Sequence, residues 1–208
     1  MGKLFTIFEN TKKLVNYFLI SINFLIKPRK PMIIRETFFE RYKKHFGKLN
    51  QSQVNGINFL LDKLDKSKVF DLASEYAYIL ATIKHECAEK YKPITEYGSQ
   101  SYLRHKKYWP YIGRGYVQLT WISNYQVFGS ILKIDLVNKP DLALDPETSW
   151  KILELGMSRG LYTQKKLGDY VNENKTDYRN ARKVINGVDR ADQIAGYARS
   201  FEDCIEFD

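Results

Sequence analysis

The stretch Phe70-Asp71-Leu72-Ala73-Ser74-Glu75-Tyr76-Ala77-Tyr78-Ile79-Leu80-Ala81-Thr82-Ile83-Lys84-His85-Glu86-Cys87 decides the fold. Ala73, Tyr76, Ala77, Leu80, Ile83 and Cys87 recur at three- and four-residue steps. That is the period of an amphipathic helix whose apolar stripe faces a core. The pattern predicts a long helix over 70–91, ended by Pro93, which cannot continue it. Upstream, Asn50-x-x-Gln53 has the form of a capping box. It opens a helix with Val54, Ile57, Leu60, Leu61 and Leu64 on one face. Downstream, Asp145-Pro146 supplies a cap and a first-turn proline ahead of Trp150, Leu153, Met157 and Leu161. Asp189 is placed to cap a last helix bearing Ala191, Ile194, Ala198, Phe201 and Ile205. Residues 94–116 differ, with Gly98, Pro110, Gly113 and Gly115 among many Tyr, Lys and Arg. No internal repeat and no βαβ alternation is visible. The expected class is mainly α, with a small irregular or β element near 94–116.

The 208 residues suffice for one domain with a real core and are too few for two comfortable ones. With 44% hydrophobic and 27% charged residues, disorder and fibrous architectures are excluded. The 15 Tyr and 12 Phe fit a packed core and equally the lining of a sugar-binding groove. The net charge of +9 is unevenly placed: residues 1–31 supply +5 and the rest only +4. A basic surface suits an anionic partner such as a bacterial wall polymer or an anionic lipid. The remaining +4 is too modest to argue for nucleic acid, and no base-reading motif is present. Cys87 and Cys204 do not make a disulfide framework; they read as two separate buried thiols, or as one long-range bridge in an exported protein.

Residues 14–26, LVNYFLISINFLI, are flanked by Lys12-Lys13 and by Lys27-Pro28-Arg29-Lys30-Pro31. Thirteen residues fall short of the roughly 20 that a membrane span needs. Three readings of 1–31 stand side by side: an uncleaved signal or anchor, an amphipathic helix lying on anionic lipid, or a segment upstream of a functional start at Met32. On any of them the Pro28–Pro31 stretch is a boundary, and 32–208 is the functional domain.

Within that domain Lys84-His85-Glu86-Cys87 draws attention. Glu86 falls at the margin of the apolar stripe, where partial desolvation favours the neutral acid that a proton donor needs. His85-Glu86 does not complete a zinc-protease helix, because His-Glu-x-x-His requires histidine where Glu89 stands. No metal and no cofactor is expected. A second carboxylate, Glu96, would lie about 15 Å further along a continuous helix. Pro93 breaks the helix and allows Glu96 to return toward Glu86, and two facing carboxyls are what glycoside hydrolysis uses.

Glu86 on its helix, Pro93-Ile94-Thr95-Glu96-Tyr97-Gly98, the run Gly113-Arg114-Gly115-Tyr116-Val117-Gln118-Leu119-Thr120-Trp121, Asn124-Tyr125, and Arg182-Lys183-Val184-Ile185-Asn186-Gly187 together resemble glycoside hydrolase family 19. That family holds chitinases and phage endolysins, and the resemblance runs from about residue 38 to 206. It implies a lysozyme-like, two-lobed helical domain with a small irregular or β element beside its cleft. It implies Glu86 as general acid, Glu96 as the base that activates water, and Thr120 as a hydroxyl that holds that water. Gln118, Asn124, Tyr125 and Asn186 fall at substrate-binding positions, and Arg190 stands where a cation serves the cleft near Glu96. The segment Gly98–Tyr111 matches no family pattern and is expected to shape substrate choice.

The expected function is therefore endo-acting, inverting hydrolysis of β-1,4 bonds in peptidoglycan, by a monomer exported to or associated with the membrane and acting at the bacterial wall. Chitin is the alternative polysaccharide. Two other classes compete: a membrane-active protein whose domain only binds wall, and an inactive sugar-binding relative.

Overall fold

Why the chain folds as it does starts from one helix with no wet side. The computed structural model describes residues 32–208, so every reading of 1–31 lies outside the described residues. Helices α1 (Arg35–Phe46), α2 (Gln51–Lys66) and α3 (Ala73–Glu86) come first. In α3, every residue from Ser74 to Lys84 is buried, so the helix is enclosed all round and not striped. Two of its buried charged residues are matched locally. Glu75 accepts the backbone N–H groups of Asp71 and Leu72. The Lys84 ammonium lies 2.9 Å from Glu89 and stacks over the rings of Phe46 and Tyr197.

A short hairpin, β1 (Ile94–Thr95) with β2 (Arg114–Gly115), encloses helix α4 (Gln100–Arg104). Then follow α5 (Ile122–Leu132), α6 (Pro146–Arg159), a second hairpin of β3 (Val171–Asn172) and β4 (Lys175–Thr176), α7 (Tyr178–Ala181) and α8 (Ala191–Cys204). Helix α8 lies against α3, with α1 and α7 beside it. Phe201 of α8 packs on Phe38, Tyr42 and Phe46 of α1. The domain ends are tied together: Ile34 N–H donates to Glu206 O, and Ile33 bridges Phe207. The class is mainly α, as the periodicities predict.

The Asn50/Gln53 capping box forms with both reciprocal bonds, and Asp145 caps α6 with Pro146 in its first turn. Two boundaries differ from expectation. Helix α3 stops at Glu86, seven residues before Pro93, because Ala88, Glu89 and Tyr91 adopt left-handed backbone. This turn drives Tyr91 into the core, where its hydroxyl meets that of Tyr42 at 2.7 Å. Second, Asp189 does not cap α8. Arg190 occupies the cap position in left-handed conformation, with no side-chain bond to the helix. Cys87 and Cys204 are both free and buried, which holds each thiol above its ordinary range.

Candidate active site

Glu86 is the last residue of α3 and is carried to a cleft of about 320 Å³. The same cleft is lined by Gln118, Thr120, Trp121 and Asn124, and from far along the chain by Tyr162 and Asn186. The Glu86 side chain retains 14% of its exposure, enough to meet a solute. Its Oε1 accepts from Arg182 Nη1 at 2.5 Å, and that guanidinium is buried. Arg182 is itself anchored, its Nε donating to Asp189 O at 3.1 Å. The pair ties the end of α3 to the turn after α7. Beside it, His85 is held below its ordinary value, chiefly by burial, with Arg182 and Arg190 adding to the effect and Glu86 opposing it.

Glu96 follows β1. The β1–β2 register places Thr95 opposite Arg114, and Glu96 then bonds Gly113 twice. Its N–H donates to Gly113 O at 2.7 Å, and its Oε2 accepts from Gly113 N–H at 3.0 Å. Its Oε1 accepts from the Tyr108 hydroxyl at 2.7 Å. The Tyr108 ring in turn meets Trp121 edge-on, 5.2 Å between centroids. One donor on each oxygen fixes the carboxylate while leaving lone pairs for a water or a proton.

The cleft floor is held by side chain to backbone bonds. Gln118 donates from its amide nitrogen to Ile94 O and Gly115 O, and Asn124 donates to Thr120 O. Thr120 Oγ1 donates to Gln118 O at 2.7 Å, so its lone pairs stay available to a donor. The nitrogens of both amides thus stabilise the loop, while their residues still line the cleft. Gln118 and Trp121 adopt positive φ, 54° and 75°. Such backbone is costly for non-glycine residues and gathers at functional sites. Gly115 has φ 87°, and a side chain there would approach Ser149 Oγ to 2.6 Å. That oxygen accepts the Tyr116 N–H at 2.7 Å. The glycine therefore serves a close approach within the protein.

Three expected site residues do not line this cleft: Glu96, held by Tyr108 and Gly113, together with Tyr125 and Arg190. Tyr125 is completely buried, donating to Ile112 O and accepting from Arg114, so it supports the hairpin from below and does not touch the cleft. Arg190 is exposed, and among the described residues it makes no ion pair and does not line the cleft. The cation that meets a predicted catalytic carboxylate is Arg182, buried and bonded to Glu86, whereas Arg190 was expected near Glu96. Arg182 and Tyr108 are the residues that sequence reasoning missed. Arg182 stands inside the Arg182–Gly187 motif, but a partner 96 positions away leaves no local signal. Among the described residues no three His, Cys, Asp or Glu side chains are grouped to hold a metal.

No family model matches the chain. Chitinase 11 of Oryza sativa subsp. japonica is 51% identical over 43 residues, 20% of this chain and 17% of that protein. Endochitinase 1 of Theobroma cacao is 52% identical over 42 residues, 20% of this chain and 13% of that protein. About a fifth of the chain is thus similar to plant chitinases. Among solved structures, a bacterial family 19 chitinase is 21% identical with a TM-score of 0.46, covering 82% of this chain and 94% of its own. The matched stretches span less than a fifth of the length of these plant relatives.

Proposed function

We propose that the chain is an endo-acting, inverting glycoside hydrolase that cuts β-1,4 bonds between amino sugars. The observation that carries this reading is the convergence on one cleft of Glu86, Gln118, Thr120, Asn124 and Asn186; Glu96 is not part of that lining and is linked to it through Tyr108, which packs on Trp121. In the proposed reaction Glu86 protonates the leaving glycosidic oxygen. Glu96 takes a proton from a water, which attacks the anomeric carbon from the opposite face, and Thr120 Oγ1 accepts a hydrogen bond from that water. The amide of Asn186 offers a donor and an acceptor to an acetamido group.

Peptidoglycan is the first substrate in this reading, because the chain is basic and an anionic wall attracts it. In it the protein works at the bacterial wall, delivered there by residues 1–31. Chitin is the second reading, favoured by the similarity to plant chitinases.

The test is digestion of purified peptidoglycan and of chitin oligomers by the full chain, with Glu86→Gln alongside, reading new reducing ends by mass spectrometry. The expected result is cleavage that falls by about 10²–10⁴-fold in a folded Glu86→Gln protein. NMR of the first product should show the inverted anomer. Undiminished cleavage by that variant would overturn the mechanism.

A further inference from the structure

On the helical body several basic side chains are paired: Arg35 bonds Asp62 and Asp65, Arg41 bonds Glu206, Lys63 bonds Glu147 and Arg179 bonds Asp192, while others such as Lys43, Lys66, Lys151 and Arg199 form no salt bridge among the described residues. From residue 90 to 111 there are five Lys or Arg and one acid, Glu96. Both oxygens of Glu96 already accept bonds from Tyr108 and Gly113. Among the described residues Lys90, Arg104 and Lys106 form no salt bridge.

Each of these three cations lies instead over an exposed ring. The Lys90 ammonium is 5.1 Å from the Tyr97 centroid, the Arg104 guanidinium 5.9 Å from Trp109, and the Lys106 ammonium 4.0 Å from Tyr102. Those rings are 58%, 38% and 53% exposed. A cation over a ring is held in place electrostatically while its outer side stays open to solvent. One face of each ring is thereby covered, which weakens the surface as a stacking platform for a neutral sugar. It strengthens the surface as a receiver of negative charge. The segment is also fastened to the catalytic cleft. Tyr108 donates to Glu96 and packs on Trp121, and Trp121 N–H donates to Tyr111 O.

We propose that Lys90, Tyr97, Tyr102, Arg104, Lys106 and Trp109 form a subsite that receives carboxylates carried by the glycan in the cleft. Peptidoglycan presents such groups on the peptide stems of its sugars, and chitin presents none. This subsite rests on the glycosidase reading above. It assigns the choice of an anionic amino-sugar polymer to the rim, and the cutting to the cleft.

The test compares the full-length chain with its Lys90→Gln/Arg104→Gln/Lys106→Gln variant on peptidoglycan fragments whose carboxyls are free or chemically amidated. All three positions are on the surface segment, and circular dichroism checks that the variant is folded. The expected result is a fall of about tenfold in the ratio of kcat/KM on free-carboxyl to amidated fragments, of the size three exposed charges supply together. Rising salt should erode the wild-type preference. An unchanged ratio overturns the subsite, as does competition by a phosphodiester wall polymer alone. If the wild type cuts neither fragment, the peptidoglycan reading fails, and the glycosidase reading fails with it only if chitin oligomers are not cut either. Retention on immobilised free-carboxyl fragments then decides the rim separately: loss of retention in the triple variant upholds it, and equal retention overturns it.

Discussion

In the helical body Arg35 spans Asp62 and Asp65, Lys84 reaches Glu89 from inside the core, and Phe201 is enclosed by three rings of α1. On the segment between the strands of the first hairpin, Tyr97, Tyr102 and Trp109 stand in solvent with cations over them. The two regions are adjacent in sequence and drawn from the same residue types, yet they satisfy them differently. The body settles aromatic area and charge within the protein, which stabilises the fold. The rim leaves both open, and open groups of that kind serve a partner.

The sharpest way to break this contrast is to remove a body aromatic. Phe201→Ala should cost about 3–5 kcal/mol of stability, measured by urea denaturation. The protein that remains folded should keep its cleavage activity. A loss below about 1 kcal/mol would mean that the body is not the tightly packed half. A smaller effect, on activity, is expected at the join between rim and cleft. Tyr108→Phe removes one of the two donors on Glu96 and should lower kcat about tenfold, or about 1.4 kcal/mol, within the range for a hydrogen bond to a charged group. Its denaturation midpoint should scarcely move. A drop in stability with unchanged kcat would place Tyr108 among the structural residues instead.

The smallest effect concerns pH. His85 is held below its ordinary 6.5, mainly by burial. The unfolded chain therefore takes up its proton more readily than the folded one. This contribution to stability is fully present above pH 6.5 and is lost as pH falls toward the lower folded value. His85→Asn should flatten the stability curve just below pH 6.5. An unaltered slope in thermal melts across that window would show that His85 does not contribute.

Much of the body is legible in the chain because its signals are local. The Asn50/Gln53 box and the Asp145-Pro146 start are complete within four residues, and both form. Periodicity carried the central helix five residues too far, since apolar spacing does not reveal that Ala88, Glu89 and Tyr91 turn left-handed to seat Tyr91 against Tyr42. It also read as a stripe what is a fully enclosed helix, because the partners of Glu75 and Lys84 lie outside its pattern. In the site, Glu86, Gln118, Thr120, Asn124 and Asn186 line one cleft, and Glu96 does not. Tyr125 does not, because the inner face of α5 directs it to Arg114 and Ile112. Arg182 could not be ranked above Arg190 from sequence. The choice depends on which guanidinium the turn after α7 brings to the end of α3.

The bond from Tyr116 to Ser149 has a mechanical consequence. It fastens the chain just after β2 to α6, while Arg114 is tied to Asp141 and Tyr125 on the same side. The floor of the cleft is thereby bolted to the main frame at three points. It acts as the fixed jaw of a wrench.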